Sequence, residues 1–193
     1  MAWTQVGEAT GYAAGILAGE RTRLRPATEE DLEVLARWWN EPEMKVLQDR
    51  AVRPRPVAAD VEQFRTWSAN DGDGGVGFAI DDLGGTLIGH AVLHSVTQPA
   101  RCGTFAIMLG PEHQGRGLGP DATAAMLRYG FAEMGLHRIQ LGVYAYNDRA
   151  LAAYRKAGFT EEGRRREAVF HDGVFHDEVL MAVLVHEWRA ARG

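Results

Sequence analysis

The chain has 193 residues, 46% of them hydrophobic and 24% charged, with a formal net charge of -5. That length suits one domain with a real hydrophobic core, and the composition excludes a fibre or a disordered chain. The acidic balance argues against a nucleic-acid surface and favours a cationic or amine-bearing partner. The single cysteine, Cys102, excludes an intrachain disulfide, and no Cys/His cluster has zinc spacing, so no metal is expected. No stretch reaches the length of a membrane span, and no basic region followed by an apolar core opens the chain. A cytoplasmic enzyme without a membrane partner is the expectation.

Residues 1–19 are rich in Ala and Gly and weakly patterned, which predicts a leader or a loose N-terminal extension, free or packed on the body, ahead of a single domain at 20–193. A strand is expected over Arg21–Arg25, ended by Pro26. Thr28 and Asp31 have capping-box spacing, and Leu32, Leu35 and Trp39 recur at helical spacing, so a helix runs to about Asn40. Glu41-Pro42-Glu43 is read as its break, and Asp49–Pro56 as a loop. A second helix carries Val61, Phe64 and Trp67 on one face.

Beyond the polar turn Asn70–Gly75, three strands are expected at Val76–Ile80, Thr86–His94 and Gly103–Leu109, as an antiparallel meander. A helix follows from about Gly119 to Glu133, stopped by Gly135, then a strand over Arg138–Ala145 and a short helix over Asp148–Ala157. Two last strands, Phe159–Arg164 and Val179–Leu184, flank the turn at His171-Asp172-Gly173. The order predicts an α/β (α+β) fold: a mixed, mostly antiparallel central sheet flanked by helices.

The sharpest local signal is Gln114-Gly115-Arg116-Gly117-Leu118-Gly119, between a strand and a helix. Amides at a helix start lack internal acceptors, and glycines let phosphate oxygens approach them. No Gly-Lys-Ser/Thr follows, which excludes a P-loop, and the glycine spacing does not match a dinucleotide fingerprint. A plain connecting turn is the competing reading of the glycines alone.

On these residues the sequence resembles the GNAT superfamily of N-acetyltransferases, whose Gln/Arg-x-x-Gly-x-Gly/Ala signature is matched by Gln114–Gly119. A second match lies at Asn147-Asp148-Arg149-Ala150 and Tyr154-Arg155-Lys156-Ala157-Gly158-Phe159. A third, at Glu162-Gly163, Arg166, Asp172-Gly173, Asp177 and Glu187-Trp188, resembles the branch that acetylates ribosomal-protein N-termini, as do Arg25-Pro26 and Trp39–Pro42. The resemblance spans about Arg21 to Trp188. It implies the GNAT acyl-CoA N-acyltransferase fold with acetyl-CoA (coenzyme A) as cofactor. The acceptor would be an amine, either a protein N-terminus or a small molecule such as an antibiotic, amino acid or polyamine. A non-catalytic acyl-CoA-binding module is the second class. Homodimers are common in that branch, and the sequence marks no interface.

The resemblance also assigns residues. Gln114, Gly115, Arg116, Gly117, Leu118 and Gly119 would hold the pyrophosphate. The backbone of Ile107, Met108 and Leu109 would lie beside the thioester and pantetheine, along with Asn147, Ala150, Tyr154 and Lys156. Tyr154 is the candidate general acid, or else an aromatic core residue. A base must take the proton of the attacking nitrogen. The glutamate that many relatives carry early in the fourth strand is absent from Arg101–Phe105. His94, ending the previous strand, is the candidate base, with His90 behind it. Trp39, Glu43, Asp49, Arg50 and Trp67 are acceptor-side candidates. The run Arg164-Arg165-Arg166 is flanked by Glu161, Glu162 and Glu167 and reads as an ion-paired strand edge.

Overall fold

Thr28 begins the first helix of the body for the reason its spacing predicts. Its hydroxyl accepts from the Asp31 amide, and the Asp31 carboxylate accepts from the Thr28 amide and hydroxyl. Asp31 also receives Arg25, whose guanidinium reaches Asp81 as well, at 2.5 and 2.6 Å. That one arginine therefore fixes the end of the first strand against both a helix start and the neighbouring strand. The computed structural model describes residues 3–192; residues 1, 2 and 193, including part of the expected extension, lie outside the described residues.

In chain order the elements are α1 (Val6–Ile16), β1 (Thr22–Arg25), α2 (Glu29–Asn40), α3 (Pro42–Gln48), α4 (Val57–Trp67), β2 (Val76–Asp82), β3 (Leu87–Thr97), β4 (Cys102–Leu109), α5 (Leu118–Ala132), β5 (Arg138–Tyr144), α6 (Asp148–Lys156), β6 (Thr160–His171), β7 (Val174–Leu184) and α7 (Val185–Ala190). A single turn of 3-10 helix at Pro111–His113 precedes the glycine turn. All seven strands join one sheet in the order β1-β2-β3-β4-β5-β7-β6. Every pairing is antiparallel except β4 with β5. The expected mixed, mostly antiparallel sheet flanked by helices is what forms.

The two sheet faces bury separate apolar clusters. On one, Ala122, Ala125, Met126 and Leu127 of α5 pack with Leu93, Ile139, Val179 and Met181. On the other, Leu32, Leu35, Met44, Phe64 and Met108 pack beneath α2–α4.

Three expectations are corrected. Pro42 does not simply end a helix; it occupies the first turn of α3, where its missing N–H costs nothing. The last two strands run to 12 and 11 residues, about twice the length their patterning predicts, and pair as an antiparallel hairpin. The segment 6–16 is a helix and not a loose extension.

That helix is held from outside. Arg128 of α5 donates to the carbonyls of Gly15, Ile16 and Ala18, and Ile16 is buried. Tyr12 donates to Glu133 at the C-terminal cap of α5. With Gly7, Gly11 and Gly15 in its sequence, α1 has low intrinsic helicity and depends on this docking. Arg128→Ala should therefore speed protease cleavage within residues 3–18 while the body resists; limited proteolysis followed by mass spectrometry reads this directly.

Candidate active site

β4 and β5 are paired only at Cys102–Arg138, Gly103–Ile139 and Thr104–Gln140. Beyond that point β4 stays with β3 and β5 stays with β7, so the two strands diverge. Phe105–Leu109 thus present an edge without a strand partner, where backbone groups need an acceptor or donor from elsewhere. A cavity of about 490 Å³ fills the gap, within the usual size of a small-ligand site.

The glycine turn forms one end of this cavity. Gly115 and Gly117 have φ of 72° and 76°, a left-handed backbone that other residues rarely adopt. Gly117 is the N-cap of α5, and the first amides of that 15-residue helix have no intrahelical acceptor. Gly115, Gly117 and Gly119 all line the cavity. Arg21 donates to the Arg116 carbonyl at 2.8 Å and braces the turn from outside. Asp121, in the first helical turn, is engaged by the Glu20 and Arg21 amides and the Thr22 hydroxyl, so its charge is drawn to the N-terminal segment. Gln114 donates to the Leu109 carbonyl at 3.0 Å and accepts from Arg149, tying β4 to α6.

α6 forms a second wall. Asn147 caps it by accepting from the Ala150 amide at 3.1 Å, and Asn147, Ala150, Ala153 and Tyr154 line the cavity. Tyr154 packs edge-on against Phe105 and Phe159. Burial pushes its phenol up to about 12, so the hydroxyl keeps its proton across the neutral and mildly alkaline range.

The far end is lined by residues of α2–α4, namely Trp39, Met44, Leu47, Gln48 and Trp67. α3 is held at this end by two tyrosines from the β5–α6 corner, Tyr144 donating to the Gln48 carbonyl and Tyr146 to the Val46 carbonyl. The fully buried Lys45 is neutralised by Asp49 at 2.9 Å and sits 5.1 Å from the Trp39 ring centroid.

Most of the sequence-nominated residues converge here, and some do not. Ile107 and Leu109 line the cavity, while the Met108 side chain is buried under α2–α4 and only its backbone lies on the open strand. Leu118 belongs to the core, and Arg116 and Lys156 are exposed outside the lining. His94 is a correction. It sits opposite Thr104, where β4 and β5 are still paired, and it lines a separate hollow of about 210 Å³ beyond Trp67. His90 is buried between Phe64 and Trp67, its Nε2 2.9 Å from the Ser68 hydroxyl, and does not line the cavity either.

One residue escaped sequence reasoning. Glu178 of β7 is the single carboxylate in the cavity lining, among the described residues. It stands opposite Tyr144 across the β5–β7 ladder. Gly142 makes room for it, since a Cβ there would lie 2.2 Å from Glu178 Oε1. A lone glycine inside an apolar strand was the available signal.

Residues 21–160 match the model of the acetyltransferase (GNAT) domain. The chain belongs to the GNAT acetyltransferase family. It is similar to spermidine N(1)-acetyltransferases: 35% identical to that of Vibrio cholerae over 55% of this chain and 62% of that protein, and 27% identical to that of Escherichia coli K12 over 87% and 88%. Among solved structures, the spermidine N-acetyltransferase from Vibrio cholerae in complex with CoA and spermine superposes with a TM-score of 0.78 at 27% identity, covering 87% of this chain and 98% of that one. This GNAT protein is an acetyl-CoA-dependent N-acetyltransferase. Its left-handed glycines, open strand edge and free helix amides fit that cofactor. Among the described residues, no helix is long and apolar enough to cross a membrane.

Burial holds His90 down at about 4, below its ordinary 6.5. Between those values the unfolded chain binds a proton that the folded chain refuses, so stability falls as pH drops from 6.5 towards 4. Urea unfolding at pH 5 and pH 7.5 should show that loss in the wild type and a smaller one in His90→Gln.

Proposed function

We propose that this GNAT enzyme acetylates a small, cationic amine of the polyamine type. The observation that carries the reading is the far end of the cavity, where Trp39, Trp67 and Tyr144 and a single carboxylate, Glu178, line the wall, among the described residues. Aromatic faces with one carboxylate suit a slender organic cation, and the similarity to spermidine N-acetyltransferases over nearly the whole chain supports the same class. The ribosomal N-terminal acceptor suggested by the sequence resemblance is therefore the less supported of the two. Residues 20–193 act as one catalytic unit in this reading, with α1 docked beside α5.

The acetyl group, when the cofactor is bound, is supplied as a thioester activated for attack by nitrogen. The chain's own residues do the rest. Amides of the glycine turn and the first turn of α5 would hold the pyrophosphate. The open edge of Ile107–Leu109 would orient the pantetheine and could donate to the thioester oxygen, stabilising negative charge developing there. Asn147 and Ala150 would flank the arm. Tyr154 holds a proton that it can give to the departing sulfur. Among the described residues no histidine lines the cavity and Glu178 is its one carboxylate; with Glu178 read as the site of a second ammonium, the acceptor nitrogen gives its proton to water.

Thiol release from acetyl-CoA, followed with spermidine, spermine, a diamine and short peptides, tests the acceptor. Spermidine or spermine should be turned over and the peptides should not; preference for a peptide N-terminus would reverse the assignment. Tyr154→Phe should lower kcat by about a hundredfold, the lower range for a positioned general acid, while the KM for acetyl-CoA stays nearly constant.

A further inference from the structure

Glu178 is built into the cavity wall in an unusual state. Its side chain is only 12% exposed, and its Oε2 is buried without a hydrogen bond. Arg165 of β6, directly opposite on the ladder, brings Nη1 to 3.2 Å of that oxygen. The distance is that of an ion pair, but no N–H is aimed at the oxygen, so the carboxylate is neutralised without being bonded. Arg165 is 52% exposed, on the β6–β7 hairpin, and has room to leave. Tyr144 lies across from Glu178 and lines the same cavity; burial, helped by Tyr146 and then Glu178, pushes its phenol up to about 12.

We propose that Glu178 is the slot for a non-reacting ammonium of the acceptor, and that Arg165 covers its charge until the acceptor displaces it. The proposal rests on the amine-acceptor reading above. With Arg165 displaced, Oε2 would offer an unfilled acceptor position to a compact N–H donor. The attacking nitrogen must be neutral, and a carboxylate beside it would hold its proton on. Glu178 is thus suited to the other nitrogen of a di- or polyamine. It sets specificity for acceptors with a second positive charge at a fixed distance.

The test is calorimetry of spermidine and of butylamine, which lacks the second cation, against the protein saturated with CoA, with steady-state kinetics alongside. Glu178→Gln should weaken spermidine about ten- to hundredfold in Kd and KM, the range for a hydrogen bond to a charged group. It should leave butylamine, kcat and acetyl-CoA binding nearly unchanged, the last confirming that the variant is folded. Arg165→Ala should tighten spermidine about two- to fivefold, as expected from a half-exposed pair. Unchanged spermidine binding in Glu178→Gln, or an equal loss of both amines, overturns the slot. A fall in kcat with loss of the acidic limb of its pH profile and constant KM also overturns it, by making Glu178 the base. A wild type that acetylates amines while its glutamine variant binds spermidine normally refutes the slot alone. A wild type that binds and acetylates neither amine refutes the amine-acceptor reading and the slot together.

Discussion

The parting of β4 from β5 after Thr104 and Gln140 is the constraint on which the site depends. A sheet interior normally satisfies every backbone group, and a gap in it is costly unless something polar enters. Here each strand keeps its outer partner, so the sheet survives the gap. The opening faces a helix start on one side and α6 on the other. The first supplies backbone amides without intrahelical acceptors, and the second the Tyr154 hydroxyl. A ligand with an extended amide-bearing arm and a charged end matches that arrangement in shape and in sign.

Two further features keep the gap in register. Gln114 joins the end of β4 to Arg149 of α6, so the walls cannot drift apart independently. The hydroxyls of Tyr144 and Tyr146 hold α3 at the far end, and the buried Lys45 of that helix lies over the Trp39 ring of α2. The glycine-turn end therefore offers free backbone amides and Arg149, whereas the far end is aromatic and carries Glu178. The proposed chemistry follows from this division: one end would bind phosphate by backbone amides, and the other would select an amine by shape and charge.

Features that depend on local chemistry were legible in the sequence. The Thr28–Asp31 capping box, the glycine turn and the Asp172-Gly173 hairpin turn each declare themselves within a few residues. Others needed tertiary context. α1 has too many glycines to be helical alone and exists because Arg128 caps its final carbonyls. β6 is exposed and charged along most of its length, so no alternation betrays it. Glu178 and Gly142 are far apart in sequence and meet only through the β5–β7 register. His94 looked well placed because it lies near the end of β3, but its partner there is Thr104, in the half of β4 still paired to β5, short of the gap.

Calorimetric titration of acetyl-CoA into the wild type, Gly119→Asn and Gly119→Asp tests the phosphate cradle most directly. Gly119 lines the cavity in the first turn of α5, and a Cβ there would stand 3.5 Å from Leu109 Cδ1, an ordinary contact. The two variants are nearly isosteric and differ in charge. If the pyrophosphate rests on this turn, Asn should cost at most about tenfold and Asp should weaken binding by roughly a hundredfold or more, because like charges brought together cost several kcal/mol. Equal affinity of the Asp and Asn variants for acetyl-CoA would contradict the account and place the phosphates elsewhere.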